Sequence, residues 1–347
     1  MNNGGADIAA GRFAHHGGRL CVARALFPDA PQPWIDLSTG INPNSYPAPR
    51  ASARARNRLP EPTELARLEA VAARAFGVED PARVVATGGT ENALRLLPHV
   101  MKVSSAVVAG PTYGSHADAW SRAGTKVQVI SDDNLSAHAS SSGTMTIVNP
   151  NNPDGRIVGR QQLQSLHDAL RANEGTLIVD EAFADLQPQH SVAGLAGSDA
   201  APRMVVLRSF GKFYGLAGVR LGFVIASSAI ATRLRQLLGD WPVSADALAA
   251  GLAAYADEAW AQRTRDRLSR AAQRLDKLIL ESGMTIIGGT SLYRLARAPD
   301  ARLRFTQLIA RGVLVRPFDY DETLLRFGLP GGREDWRRLA AALRSEP

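Results

Sequence analysis

Four lysines occur in the chain of 347 residues: Lys102, Lys126, Lys212 and Lys277. A side-chain amine can form an imine with an aldehyde, so each is a candidate for covalent chemistry. Lys102 and Lys277 stand in helical patterns, and Lys126 opens an apolar run. Lys212 alone lies just past the carboxyl end of a strand-like run, in Arg208-Ser209-Phe210-Gly211-Lys212. That end of an α/β sheet is where sites gather. The Gly-Lys pair does not make a nucleotide-binding loop. Such a loop needs glycine five positions before Gly211 and a hydroxyl residue after the lysine, and Val206 and Phe213 stand there. Taken alone, a lysine in a turn is equally a surface residue.

Its neighbours add chemistry. Ser209 lies three residues before Lys212, and Arg220 lies eight after it, within Gly218-Val219-Arg220-Leu221-Gly222. A hydroxyl and a guanidinium make a phosphate cradle, because the guanidinium fork matches phosphate oxygens. Thr87-Gly88-Gly89-Thr90-Glu91 offers a second anion element: two glycines after a strand, then a helix start with free N–H groups. The same run also serves as an ordinary capped turn. Asp180 closes the apolar run Leu177-Ile178-Val179, where an acid is either a cap or a partner for a protonated ring nitrogen. Asn152 sits in Asn149-Pro150-Asn151-Asn152-Pro153-Asp154-Gly155, which is a tight turn in any protein.

These residues need elements to position them. Short apolar runs at Arg83–Ala86, Ala106–Ala109, Lys126–Ile130, Met145–Val148, Leu177–Val179, Met204–Leu207 and Leu221–Ala226 alternate with helical patterns. The helices are expected at Glu64–Phe76, Glu91–Met101, Ser115–Ala123 and Arg160–Ala172. This alternation predicts an α/β fold with a mostly parallel seven-stranded sheet covered on both faces. Residues 1–50, rich in Gly, Pro and Asn, read as an extended arm that belongs to a small domain and covers the site. Residues 51–235 read as the large domain and 236–347 as a smaller α+β domain. In the latter, a long helical stretch from Ser244 to Ser282 precedes strands at Met284–Ile287, Leu292–Leu295, Val313–Val315 and Leu324–Phe327, with a closing helix Glu334–Leu343.

Composition excludes several classes. Hydrophobic residues make up 45% and charged residues 21%, as in ordinary globular enzymes. The net charge of +7 comes from arginines scattered along helical patterns such as Arg263–Arg274, interleaved with Asp266, and no nucleic-acid-binding motif accompanies them. The positive field favours small anionic metabolites. Cys21 is the sole cysteine, which excludes an internal disulfide and a structural cysteine zinc site. No basic segment leads into a long apolar run, so a cytoplasmic protein with no membrane partner and no metal is expected.

Together, Gly89-Thr90, Asn152, Asp180, Ser209, Lys212 and Arg220 have the order and spacing of the aspartate-aminotransferase superfamily of pyridoxal-phosphate enzymes, fold type I, and the chain resembles it over essentially its whole length. The resemblance implies pyridoxal 5'-phosphate as cofactor, with Lys212 as its Schiff-base lysine and Asp180 as the partner of its pyridine nitrogen. It implies that Asn152 bonds the ring oxygen, that Tyr113 stacks on the ring, and that Gly89, Thr90, Ser209 and Arg220 hold the phosphate. Arg326, on a late strand, matches the arginine that grips the substrate's α-carboxylate. A homodimer is expected on the same basis. Two positions depart from the commoner pattern. Phe183 replaces a tyrosine that donates to the ring oxygen, and Leu59 replaces a tyrosine that reaches the neighbouring subunit's cofactor.

Within the superfamily, the N-terminal His15-His16-Gly17-Gly18 and Asp36-Leu37-Ser38-Thr39-Gly40-Ile41-Asn42-Pro43 resemble the L-threonine-O-3-phosphate decarboxylases of cobalamin biosynthesis. Asp180-Glu181-Ala182-Phe183 also suits that branch. The resemblance implies a phosphorylated amino acid as substrate, with His16, Gly17, Asn42 and Asn152 beside Arg326 in contact with it. It implies (R)-1-amino-2-propanol O-2-phosphate as product. The rival within the superfamily is an aminotransferase of the histidinol-phosphate type, which shares nearly all these residues. A regulatory protein on the same fold is the rival from another class, and the first fifty residues lack the helix pair of a DNA-binding domain.

Overall fold

The computed structural model describes residues 11–13, 17–131, 135–140 and 143–344. Two compact units emerge. The larger holds Ser45–Asn152 and Arg156–Ala261; the smaller holds the described residues up to Asn44, Pro153–Gly155, and those from Gln262 onward.

The larger unit is built on seven strands: β1 (Val84–Thr87), β2 (Ser105–Ala109), β3 (Lys126–Ile130), β4 (Thr144–Val148), β5 (Thr176–Asp180), β6 (Met204–Ser209) and β7 (Gly222–Ile225). Their order is β1-β7-β6-β5-β4-β2-β3. Only β7 runs against its neighbours, so the expected mostly parallel sheet is present. Every residue of β1, β4, β5, β6 and β7 is buried, which explains why they read as unbroken apolar runs. β3 is one of the two edge strands, and its exposed Lys126 and Gln128 break that pattern. Helices Thr90–Met101, Ser115–Arg122 and Ser228–Leu238 face one another near the sheet; Leu94 and Leu97 join Ile178, Val205 and Val224 in one core. Because β1, β2, β4, β5 and β6 run the same way, their carboxyl ends share one edge of the sheet.

Helix Pro62–Phe76 begins two residues before the expected Glu64. Glu61 and Glu64 form a reciprocal capping box, and Pro62 fits the first turn because it has no N–H to leave unpaired. The expected single stretch Ser244–Ser282 is two helices, Ala245–Ala256 and Glu258–Glu281. Asp257 separates them: it leaves helical geometry at φ −99°, and its Oδ1 accepts a bond from Trp260 N at 2.9 Å, capping the second helix.

The smaller unit holds an antiparallel sheet of β8 (Thr285–Thr290), β9 (Tyr293–Arg297), β10 (Arg316–Pro317) and β11 (Leu324–Gly328), in the order β10-β11-β9-β8. Two helices here escape the sequence reading. Leu20–Leu26 lies within the expected extended arm, and Ala301–Ala310 buries Phe305, Leu308 and Ile309 at helical spacing. Ile35–Asp36 pairs in parallel with Val313–Leu314. The next residues are tied to β11: Leu37 O accepts from Gly328 N at 2.7 Å. A Cβ at Gly328 would lie 2.4 Å from Thr39 O, a backbone atom that cannot swing away.

Gly328→Ala is therefore expected to destabilise the protein by about 1–3 kcal/mol, seen as a lower urea midpoint. An unchanged midpoint would show that the 37–39 segment yields freely.

Candidate active site

The five strand ends on the shared edge, those of β1, β2, β4, β5 and β6, carry predicted site residues or lead straight into them. Asp180 closes β5, the middle strand of the sheet, and is 4% exposed. A carboxylate so deep needs partners. Its Oδ1 accepts from Ala182 N at 2.9 Å, and its Oδ2 lies 2.8 Å from His116 Nε2, itself buried in helix Ser115–Arg122. No sequence signal singles out His116 beyond its place three residues after Tyr113. The Tyr113 hydroxyl donates to Glu91 Oε2 at 3.1 Å, and its ring meets the His116 ring edge-on at 6.0 Å. Burial, with the Glu91 and Asp180 carboxylates nearby, raises the Tyr113 hydroxyl above its usual pKa.

The loops after β2 and β4 are laced together. Asn151 Nδ2 donates to Pro111 O at 3.0 Å, and Thr112 Oγ1 donates to Asn151 Oδ1 at 2.5 Å. Asn149 exchanges two bonds with Val158, closing the Asn-Pro-Asn-Asn-Pro turn that presents Asn152. Asn152 and Tyr113 therefore stand on loops that brace each other.

The anion cradle forms at the other side of the edge. Gly89 adopts φ +94°, a conformation that favours glycine, and a Cβ there would lie 2.7 Å from Arg220 Nη2. The Arg220 guanidinium thus rests against the Gly89 backbone, at the start of helix Thr90–Met101, whose first N–H groups attract anions. Gly222 is in register with Ser209, and a Cβ at Gly222 would lie 2.6 Å from Thr90 N. Ser209, Gly89, Thr90 and Arg220 are in this way brought together. Lys212 follows β6 in a turn whose flanking Phe210 and Phe213 are fully buried, and its Nζ lies 5.9 Å from the centre of the Phe183 ring. Phe183 is thus a wall beside the lysine amine, with no hydroxyl to offer.

The smaller unit gathers the other predicted residues. Arg326 on β11 is 3% exposed; its Nη2 donates to Ser38 O at 2.6 Å, and its guanidinium faces the Tyr293 ring at 5.1 Å. Ser38 Oγ donates to Asp36 Oδ1 at 2.6 Å and accepts from Gly18 N at 2.8 Å. Gly17 is pressed so closely on Ser38 that a Cβ would lie 2.4 Å from its carbonyl oxygen. Asn42 is buried, and its Oδ1 accepts from Asn44 N at 3.0 Å. The Asp-Leu-Ser-Thr-Gly-Ile-Asn-Pro segment thus meets Arg326 at Ser38. His16 lies outside the described residues. The sequence reading missed Arg316, which stands directly opposite Arg326 on β10. Burial first, then the Arg316 charge, lowers the Arg326 pKa to about 9. Like charges facing across a strand pair repel, and an anion between them removes the cost. Arginine beside arginine on separate short strands has no signature in the sequence.

The chain belongs to the aminotransferase class I and II family, whose model matches residues 32–343. It is 37% identical over 328 residues to the threonine-phosphate decarboxylase of Pseudomonas aeruginosa, covering 94% of this chain and 96% of the relative. It is 39% identical over 333 residues to that of a Sinorhizobium species, with 94% and 97% covered. Among solved structures it is similar to a putative histidinol-phosphate aminotransferase from Erwinia carotovora atroseptica, with a TM-score of 0.78 at 21% identity, covering 90% of this chain and 95% of that one.

The donor set of the larger unit fits pyridoxal phosphate: a lysine amine, a buried carboxylate for a ring nitrogen, and a cradle of helix N-terminus, hydroxyl and guanidinium for a phosphate. A methyl group at Gly89 both strains the backbone and displaces Arg220. Gly89→Ala is expected to weaken pyridoxal phosphate binding by about tenfold or more while leaving binding of unphosphorylated pyridoxal unchanged, measured by absorbance titration. Equal weakening of both ligands would remove Gly89 from the phosphate site.

Proposed function

We propose that the protein is a pyridoxal-phosphate-dependent lyase that decarboxylates L-threonine O-3-phosphate to (R)-1-amino-2-propanol O-2-phosphate, the linker precursor of cobalamin. The observation that carries this reading is the identity of 37–39% to threonine-phosphate decarboxylases over 94% of the chain. The Asp36–Pro43 run and the facing arginines Arg316 and Arg326, a setting for a substrate with more than one anionic group, support it.

When bound, pyridoxal phosphate supplies an aldehyde and an electron-withdrawing ring that weakens whichever Cα bond stands perpendicular to it. The chain's residues do the rest. Asp180, steadied by His116, holds a proton on the ring nitrogen. Asn152 donates to the ring oxygen alone, because Phe183 cannot. Tyr113 covers the ring, and Gly89, Thr90, Ser209 and Arg220 fix its phosphate. Arg326 orients the substrate carboxylate, and Gly17, Asn42 and His16 serve the substrate phosphate, so that the Cα–carboxylate bond and not the Cα–H bond is the one set for cleavage. Lys212, the amine that would hold the cofactor, would return a proton to Cα once carbon dioxide has left.

Among the described residues, no helix is long and apolar enough to cross a membrane. A cytoplasmic location and a homodimer complete the reading. The resemblance supports the dimer.

Holoenzyme incubated with O-phospho-L-threonine is expected to release carbon dioxide with no keto acid present. Turnover that requires 2-oxoglutarate and yields glutamate would move the protein to the histidinol-phosphate type of aminotransferase.

A further inference from the structure

Behind the strand ends that carry Asp180 and Ser209 lies a buried ionic cluster that the chemistry above does not use. Arg208 is 3% exposed and bridges two acids: its Nη1 donates to Glu181 Oε2 at 3.0 Å and its Nη2 to Asp185 Oδ1. Glu181, with no exposed surface, also accepts from Val192 N at 2.6 Å and from Ser191 Oγ at 2.5 Å. The guanidinium lies 4.6 Å from the centre of the Phe76 ring. Burial opposes the charge on Arg208, yet the Asp185 and Glu181 carboxylates hold its pKa above the usual arginine value. Such a cluster contributes little net stability compared with apolar packing of the same volume, so what it fixes is geometry.

We infer that Arg208 is a positioning residue for the cofactor pocket, cross-linking the segment that carries Asp180 and Phe183 to the strand that leads into Ser209 and Lys212. The inference rests on the proposed pyridoxal-phosphate site. Neighbours on a strand point to opposite faces, so Arg208 is turned away from the side that Ser209 serves and acts only through others. The ladder between β5 and β6 ends where Glu181 N donates to Leu207 O at 2.9 Å. Past that point the chain turns, with Ala184 N donating to Glu181 O. The Arg208 fork ties Asp185, two residues beyond Phe183, back to β6. Asp180 is the residue before Glu181, and Lys212 is four after Arg208. The cofactor's ring nitrogen and aldehyde carbon sit at opposite ends of one rigid ring. The spacing between the Asp180 carboxylate and the Lys212 amine must therefore be held, and Arg208 spans the two chain segments concerned. Lysine keeps the charge but, as a point donor on a flexible stem, cannot bridge Glu181 and Asp185 as a planar fork does.

The test uses Arg208→Lys and Glu181→Gln holoenzymes beside the native protein. Far-UV circular dichroism and thermal melting report folding; the visible band and the release rate of bound pyridoxal phosphate are read well below the melting transition. Both variants are expected to fold, to release the cofactor about tenfold or more faster than native, and to show a displaced band. A simple structural brace lowers the melting temperature without changing release rate or band in the folded fraction, and that result overturns the inference. If Arg208→Lys does not fold, Glu181→Gln decides by the same two readings. A native protein with no visible cofactor band overturns the underlying cofactor reading itself, an outcome distinct from native-like variants.

Discussion

A carboxylate kept deep at the end of the middle strand is the interaction on which the rest depends. Desolvating a charge costs several kcal/mol unless partners surround it, and Asp180 has them: a backbone N–H in front and the His116 ring beside it. Both partners are set by the sheet. Parallel strands bring their carboxyl ends to one edge, and the helix after β2 starts close enough for His116 to reach the end of β5. These two bonds fix the Asp180 carboxylate at the carboxyl edge of the sheet.

Two groupings of guanidinium and backbone, different in construction, occur in the two units. In the larger unit, backbone does most of the work: a positive-φ glycine, a helix start and a single guanidinium. In the smaller unit, paired guanidiniums on neighbouring strands stand beside the Asp36–Pro43 segment. A backbone cradle fits one invariant phosphate. The arginine pair is built from side chains on neighbouring strands, which substitution alters more readily than it alters a backbone cradle.

The large unit was legible in the sequence because its signals are local. Unbroken apolar runs mark strands buried on both faces, and Lys212, Asp180 and Gly89-Thr90 each sit at the end of one. The small unit was less so. Its strand Thr285–Thr290 is partly exposed along most of its length, strand Arg316–Pro317 has two residues, and the helix Ala301–Ala310 carries three arginine or glutamine residues on a surface that hides its period. The break at Asp257 was missed because helix-forming sequence continues on both sides of a single capping residue. His116, Arg316 and the Arg208 cluster were invisible for one reason. Their meaning comes from partners 64, 10 and 27 positions away, as in His116–Asp180, Arg316–Arg326 and Arg208–Glu181, and spacing along a chain does not reveal contacts across a sheet.

The central claim is that one amine of four carries the cofactor. Borohydride reduction of the holoenzyme converts an imine to a stable secondary amine, so proteolysis and mass spectrometry then locate the modified side chain. The account predicts a pyridoxyl-phosphate adduct on Lys212 and on none of Lys102, Lys126 or Lys277. An adduct on another lysine, or a reduced protein with no adduct while cofactor is bound, contradicts it.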